Sequence, residues 1–139
     1  MTLNSFNFNT TPGIRFGNGQ SKNSCKEIFD KLGSRILFIT DKGLTSLGLT
    51  KPTIDELKKL CSVEVFDNVE ADPSKKTLLN SIEIGKKFKA TGVIGFGGGS
   101  SMDVAKLTSL ILGSNEDLEQ AWGVANAKGP RLPLALIPT

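Results

Sequence analysis

The apolar positions of this chain change their period several times, and each change marks an element. Cys25, Ile28, Phe29 and Leu32 recur at i, i+3, i+4 and i+7, one face of a helix predicted over 21–32 and closed by Gly33. Arg35-Ile36-Leu37-Phe38-Ile39-Thr40 is a short, nearly unbroken apolar run, as a strand buried on both faces requires. Asp41-Lys42-Gly43 breaks it, and Pro52 suits the first turn of a helix with Ile54, Leu57 and Leu60 on one side. Val63 to Phe66 predicts a second strand, followed by the acidic loop Asp67 to Asp72. Pro73-Ser74 opens a helix with Leu78, Ile82 and Gly85 stacked along one side. Val93-Ile94-Gly95-Phe96 is a third strand and runs directly into Gly97-Gly98-Gly99-Ser100. The helix behind it, over 101–112, is apolar nearly all round and so should pack on more than one side. A short helix within 115–122 and a fourth strand over 134–137 complete the pattern. Upstream, Phe6 and Phe8, then Ile14 and Phe16, alternate with polar residues around Thr11-Pro12-Gly13 and predict a short β pair at a sheet edge.

Strands and helices alternate, and the crossovers are long enough for parallel strands. The expected fold is α/β, a doubly wound and mostly parallel sheet of Rossmann-like type. One such domain fits 139 residues. Hydrophobic residues make 38%, and with 15 glycines the apolar share is about 49%, ordinary for a globular chain. The last residues, Pro138-Thr139, fall where a buried strand would hand over to its loop, so 1–139 is expected to be part of a longer protein.

Charge and rare residues narrow the chemistry. The net charge of +3 is mild, and Lys86-Lys87-Phe88-Lys89 reads as a solvated helix face rather than a nucleic-acid site. Cys25 and Cys61 are far apart, without CxxC spacing, and read as reduced thiols of a cytoplasmic protein. Residues 1–20 hold neither the basic nor the apolar region of a signal peptide, and no apolar run would span a membrane. There is no histidine. His-based metal sites, Ser/His/Asp triads and a histidine general base are thereby excluded from this chain.

In open α/β sheets, ligands bind outside the carboxyl ends of the strands. Asp41, the loop ending Asp72-Pro73-Ser74, Gly97 to Ser100, and Pro138-Thr139 all fall there. Glycines between a strand and a helix let the backbone approach a phosphate, present free N–H groups and add the helix dipole. Ser100 or Ser101 is expected to cap the helix, Ser100-x-x-Asp103 having the form of a capping box. The alternative is a glycine turn packed under a helix. No GxxxxGK[ST] is present, which argues against a P-loop ATPase. Asp41 could accept hydrogen bonds from a ribose, or be a turn residue. Lys106 could contact phosphate or substrate, or pair with Asp103. Trp122 reads as a packing residue.

Gly97-Gly98-Gly99-Ser100-Ser101-Met102-Asp103-Val104-Ala105-Lys106 resembles the GGGSxxDxAK signature of the iron-containing (group III) alcohol dehydrogenases. Ile39-Thr40-Asp41-Lys42 resembles that family's first βα turn and Val69 to Ser74 its acidic-x-NPT-like loop, with Asp72 where many relatives carry Asn. Leu136-Ile137-Pro138-Thr139 resembles the start of its PTTAGTGSE stretch. Dehydroquinate synthases, which share the type of N-terminal domain, lack the Ser-x-x-Asp-x-Ala-Lys run. The resemblance implies an N-terminal NAD-binding domain followed by a helical domain that holds Fe²⁺ or Zn²⁺ with one Asp and three His, outside this chain. It implies that Gly97, Gly98, Gly99 and Ser100 hold the pyrophosphate and that Asp41 faces the adenosine ribose, favouring NAD over NADP. Asp72 and Thr139 would lie near the nucleotide, with Asp103 and Lys106 toward the nicotinamide. The implied activity interconverts a small alcohol and an aldehyde or ketone by hydride transfer. The N-terminal β pair offers an edge that a homodimer could use, as relatives do. The second reading is a non-catalytic nucleotide-binding module left by natural truncation.

Overall fold

The computed structural model describes residues 10–123 and 125–139. The apolar runs form β1 (Arg35–Ile39), β2 (Ser62–Phe66), β3 (Gly92–Gly97) and β4 (Leu134–Pro138). All pair in parallel, in the order β2-β1-β3-β4. The helices are α1 (Gln20–Asn23), α2 (Cys25–Leu32), α3 (Lys42–Ser46), α4 (Lys51–Lys58), α5 (Lys75–Phe88), α6 (Gly99–Ser114) and α7 (Leu118–Ala121).

Alternation along the strands divides the core in two. Ile36, Phe38, Ile94 and Phe96 pack with Cys25 and Leu32 of α2 and Leu57 of α4. Leu37, Ile39 and Val93 point to the other face, against Leu78 and Ile82 of α5 and Val104, Ala105 and Ile111 of α6. Helices cover both faces, as the continuous apolar run of β1 requires. The chain leaves β1 toward α4 on one face and leaves β3 toward α6 on the other. Between the carboxyl ends of these neighbouring strands the connections diverge, which opens a crevice there.

Helix α6 packs on β3, β4 and α5, and its buried face is built largely from small residues: Ser101, Ala105, Thr108 and Ser109. A Cβ on Gly95 would lie 2.7 Å from Ala105 Cβ and 3.3 Å from the Met102 Cα. Hydroxyls at the α5–α6 contact are satisfied in relay. Ser81 Oγ donates to Leu78 O at 2.7 Å and accepts from Thr108 Oγ1 at 2.6 Å.

Three local expectations change. The helix foreseen over 21–32 has one non-helical residue, Ser24, between α1 and α2, although its N–H and C=O continue the i→i−4 ladder. The segment after β1 does not merely break: the Asp41 carboxylate accepts the Leu44 N–H at 3.0 Å and starts the short α3. The N-terminal β pair is absent from residues 10–16, which form no strand and leave Ile14 78% and Phe16 99% exposed. Phe6 and Phe8, its other half, lie outside the described residues. Among the described residues no helix is long and apolar enough to cross a membrane.

Replacing Gly95 by Val should force α6 off the sheet and cost about 1–3 kcal/mol, the usual penalty of overpacking. Urea unfolding of the wild type and Gly95→Val measures it; equal midpoints would remove the close approach as the reason for glycine.

Candidate functional site

All four segments expected at the carboxyl ends of the strands are found there. Asp41 follows β1, the loop 67–74 follows β2, Gly97 to Ser100 follow β3, and Thr139 follows β4. The Thr139 N–H donates to the Gly97 carbonyl at 3.2 Å, which ties the last residue to the glycine turn.

Within that turn the glycines differ. Gly97 has φ 140°, and a Cβ on it would meet Ser101 Oγ at 3.0 Å and Leu44 Cδ1 at 3.1 Å. Conformation and space both demand glycine there. Gly98 and Gly99 have nothing within 4 Å of an added Cβ. The fold therefore leaves a vacant approach beside their backbone.

Helix α6 begins at Gly99, two residues earlier than expected, with Gly98 as an N-cap that offers no side-chain cap. Ser100 lies inside the first turn, and Asp103 pairs with Lys106 at 2.9 Å, so the expected capping box does not form. The cause is the extended backbone of Gly98 (φ −78°, ψ −169°), which takes the cap position itself. Met102 makes the first backbone bond back, to Gly98 O at 3.1 Å. The N–H groups of Gly99, Ser100 and Ser101 thus meet no acceptor among the described residues, at the positive end of the helix dipole. That end faces the open space beside Gly98 and Gly99. Backbone donors, dipole and space together suit an anion.

Asp41 is half-buried. One oxygen caps α3, while its backbone bridges to Asn68; the other oxygen accepts nothing among the described residues. The loop after β2 is tied down along its course. Thr45 Oγ1 donates to Asp67 Oδ2 at 3.2 Å, and the Val69 N–H to Thr40 O at 3.4 Å. In the sequence Glu70 stands as the acid of the acidic-x-NPT-like loop, with no role of its own. Its carboxylate accepts the Thr77 hydroxyl at 2.6 and 2.7 Å and the Ser74 N–H at 3.0 Å. The Thr77 hydroxyl first, and then the backbone donors, hold this carboxyl down to about 2. Asp72 follows, exposed, with φ 52°.

Asp103 and Lys106 stand exposed one turn into α6. With Pro73, Ser74 and Leu107 they line a groove of about 480 Å³. Trp122, expected to pack, is 51% exposed and lines the same groove. Lys75 of α5 forms an ion pair with Glu119 of α7. The crevice proper thus gathers Asp41, Gly97 to Ser100 and Thr139, with the Asp103–Lys106 pair to one side and Asp72 exposed in the loop after β2. Among the described residues no three His, Cys, Asp or Glu side chains come together as a metal site needs. With no histidine in the sequence, the described residues offer no histidine-based metal site.

Parallel strands, helices on both faces and a glycine turn opening onto the switch-point crevice define a Rossmann-like α/β domain. The family model for iron-containing alcohol dehydrogenase matches residues 11–139, and the chain belongs to that family. Sulfoacetaldehyde reductase of Bilophila wadsworthia is 31% identical over 132 residues, covering 94% of this chain and 34% of the relative. The solved NADH-dependent butanol dehydrogenase A of Thermotoga maritima superposes with a TM-score of 0.80 at 25% identity, over 95% of this chain and 34% of that one. Sulfoacetaldehyde reductase of Bifidobacterium kashiwanohense, solved in complex with NAD⁺, gives 0.74 at 26% identity, over 89% and 33%. The chain spans about a third of the length of the relatives it matches.

Because the folded pKa of Glu70 lies below its ordinary value of 4.5, its contribution to stability is present above about pH 4.5 and is lost as pH falls toward 2. The Tm difference between wild type and Glu70→Gln should be constant above pH 5 and shrink steadily below it. A difference independent of pH would show that the charge is not what the network binds.

Proposed function

We propose that this chain is the cofactor-binding part of an NAD-dependent, metal-dependent alcohol dehydrogenase. The observation that carries the reading is the uncapped start of α6 beside two glycines whose Cβ positions open onto free space. A dinucleotide pyrophosphate fits that place: it needs close backbone approach, N–H donors and positive dipole, and all three are present. Gly97 shapes the turn, Gly98 and Gly99 admit the phosphates, and the Ser100 N–H and hydroxyl complete the cradle.

Asp41 takes the adenosine ribose through the oxygen that α3 does not use, and its charge disfavours a 2′-phosphate. Asp72 and Thr139 border the nucleotide. Asp103 and Lys106 lie toward the nicotinamide, where their ion pair offers an acceptor and a donor about one helical turn from the phosphates. NAD, when bound, accepts or supplies the hydride that interconverts a small alcohol and its carbonyl. This chain's residues bind and orient that cofactor. The metal named by the family has no ligands here and belongs to sequence outside this chain. The two free cysteines suit a reducing compartment, the cytoplasm.

NADH titration of the full-length protein tests the reading. Gly99→Val meets no clash in the free fold, so Tm should not fall, while NADH affinity falls at least about tenfold, some 1.4 kcal/mol. Unchanged affinity would remove the glycine turn as the phosphate site. Asp41→Asn keeps the α3 cap and removes the charge, so the NADH-to-NADPH preference should narrow by about tenfold. A preference that stays fixed would take Asp41 out of that role.

A further inference from the structure

Helices α5 and α6, like the short α3, begin at the carboxyl edge of the sheet, and their first turns are finished differently. The start of α6 is bare. At α5, Ser74 Oγ accepts the Thr77 N–H at 3.2 Å, and the Glu70 carboxylate accepts the Ser74 N–H and the Thr77 hydroxyl. Thr77 has a single hydroxyl proton, committed to Glu70, so Ser74 Oγ must donate to Thr77 Oγ1 across their 3.1 Å contact. Every position in this small network is then filled, and the carboxylate needs no proton. A carboxylate of the protein itself thus sits beside the start of α5, bonded to the N-cap N–H and the Thr77 hydroxyl.

The same network governs the chain between its ends. Bonds from residue 70 to residues 74 and 77 close a loop around Ala71, Asp72 and Pro73, with Asp72 in the left-handed region at φ 52°. Aspartate adopts this backbone more readily than most residues other than glycine, which suits position 72 to the turn. No side-chain hydrogen bond to residues 71–73 themselves is present among the described residues. The restraint on this stretch comes from Glu70 on one side and the backbone contacts of Asn68 with Asp41 and of Val69 with Thr40, just after β1, on the other.

We infer that Glu70 is a positioning residue of the nucleotide site: by gripping Ser74 and Thr77 it holds the turn that carries Asp72, exposed in the loop between β2 and α5. The inference rests on the proposed cofactor reading. Glu70 itself touches no cofactor; it acts through Asp72 and the loop.

NADH titration of the full-length protein, with Tm measured alongside, tests it. Glu70→Ala and Thr77→Val should each weaken NADH binding by about tenfold. Glu70→Gln and Thr77→Ser, which keep an acceptor and a hydroxyl, should bring binding back to within about threefold of wild type. In a background of Asp72→Ala, adding Glu70→Ala should have little further effect, because the side chain it positions is gone. Effects of Glu70→Ala and Asp72→Ala that simply multiply would show that Glu70 does not work through Asp72, and would overturn the inference. So would a Thr77→Val protein that binds NADH as wild type does. Wild-type protein that fails to bind NADH would instead overturn the cofactor reading beneath it.

Discussion

Helix α6 lies so close to β3 that no side chain fits between them at Gly95, where an added Cβ would touch Ala105 and crowd the Met102 backbone. That approach is the constraint on which the site depends. It requires a face of Ser101, Ala105, Thr108 and Ser109 on the helix, and it fixes the helix axis relative to the strand. With the axis fixed, the three free N–H groups of the first turn have only one place to point, the space between the carboxyl ends of β1 and β3. A larger residue at 95 would not only unpack the core; it would turn the donors away from the crevice.

Much of this was legible in the residues. The inner strands β1 and β3 are legible as continuous apolar runs, since strands covered on both faces have no polar side to alternate with, whereas edge strand β2 keeps Glu64 exposed between Val63 and Val65. The convergence of Asp41, the loop after β2, the glycine turn and Thr139 followed from parallel order alone. What was not legible has physical reasons. Helix α3 spans too few residues to show a period, and its signal was a single carboxylate, Asp41, that also reads as a turn residue. The start of α6 was misplaced because two serines look like caps, whereas Gly98 takes the cap position with no side chain to advertise it. Glu70 could not be picked out of an acidic loop, because its partners lie four and seven residues on and meet it only when the chain doubles back. Alternation of Ile14 and Phe16 was not enough for a strand, since residues 10–16 form no ladder among the described residues.

The two sides of the crevice are held by different means. On the side of β1 and β2, side-chain hydrogen bonds do the fixing: Asp41 to Leu44, Thr45 to Asp67, Glu70 to Ser74 and Thr77. On the side of β3 and β4 the backbone does it, through the Thr139 N–H to the Gly97 carbonyl and the steric limits on Gly97. The first side is a set of polar groups whose partners can be exchanged, while the second is rigid peptide.

The emptiness around Gly98 and Gly99 bears on how such a protein can be improved in the laboratory. Both residues keep their place for a reason that the folded chain alone does not contain. Glycine in a first helical turn has more freedom to lose on folding than alanine. A library sorted only for heat resistance or soluble yield would therefore favour a larger residue at 99. It would return well-folded proteins whose crevice had been closed by their own side chains, and no folding assay would register the loss.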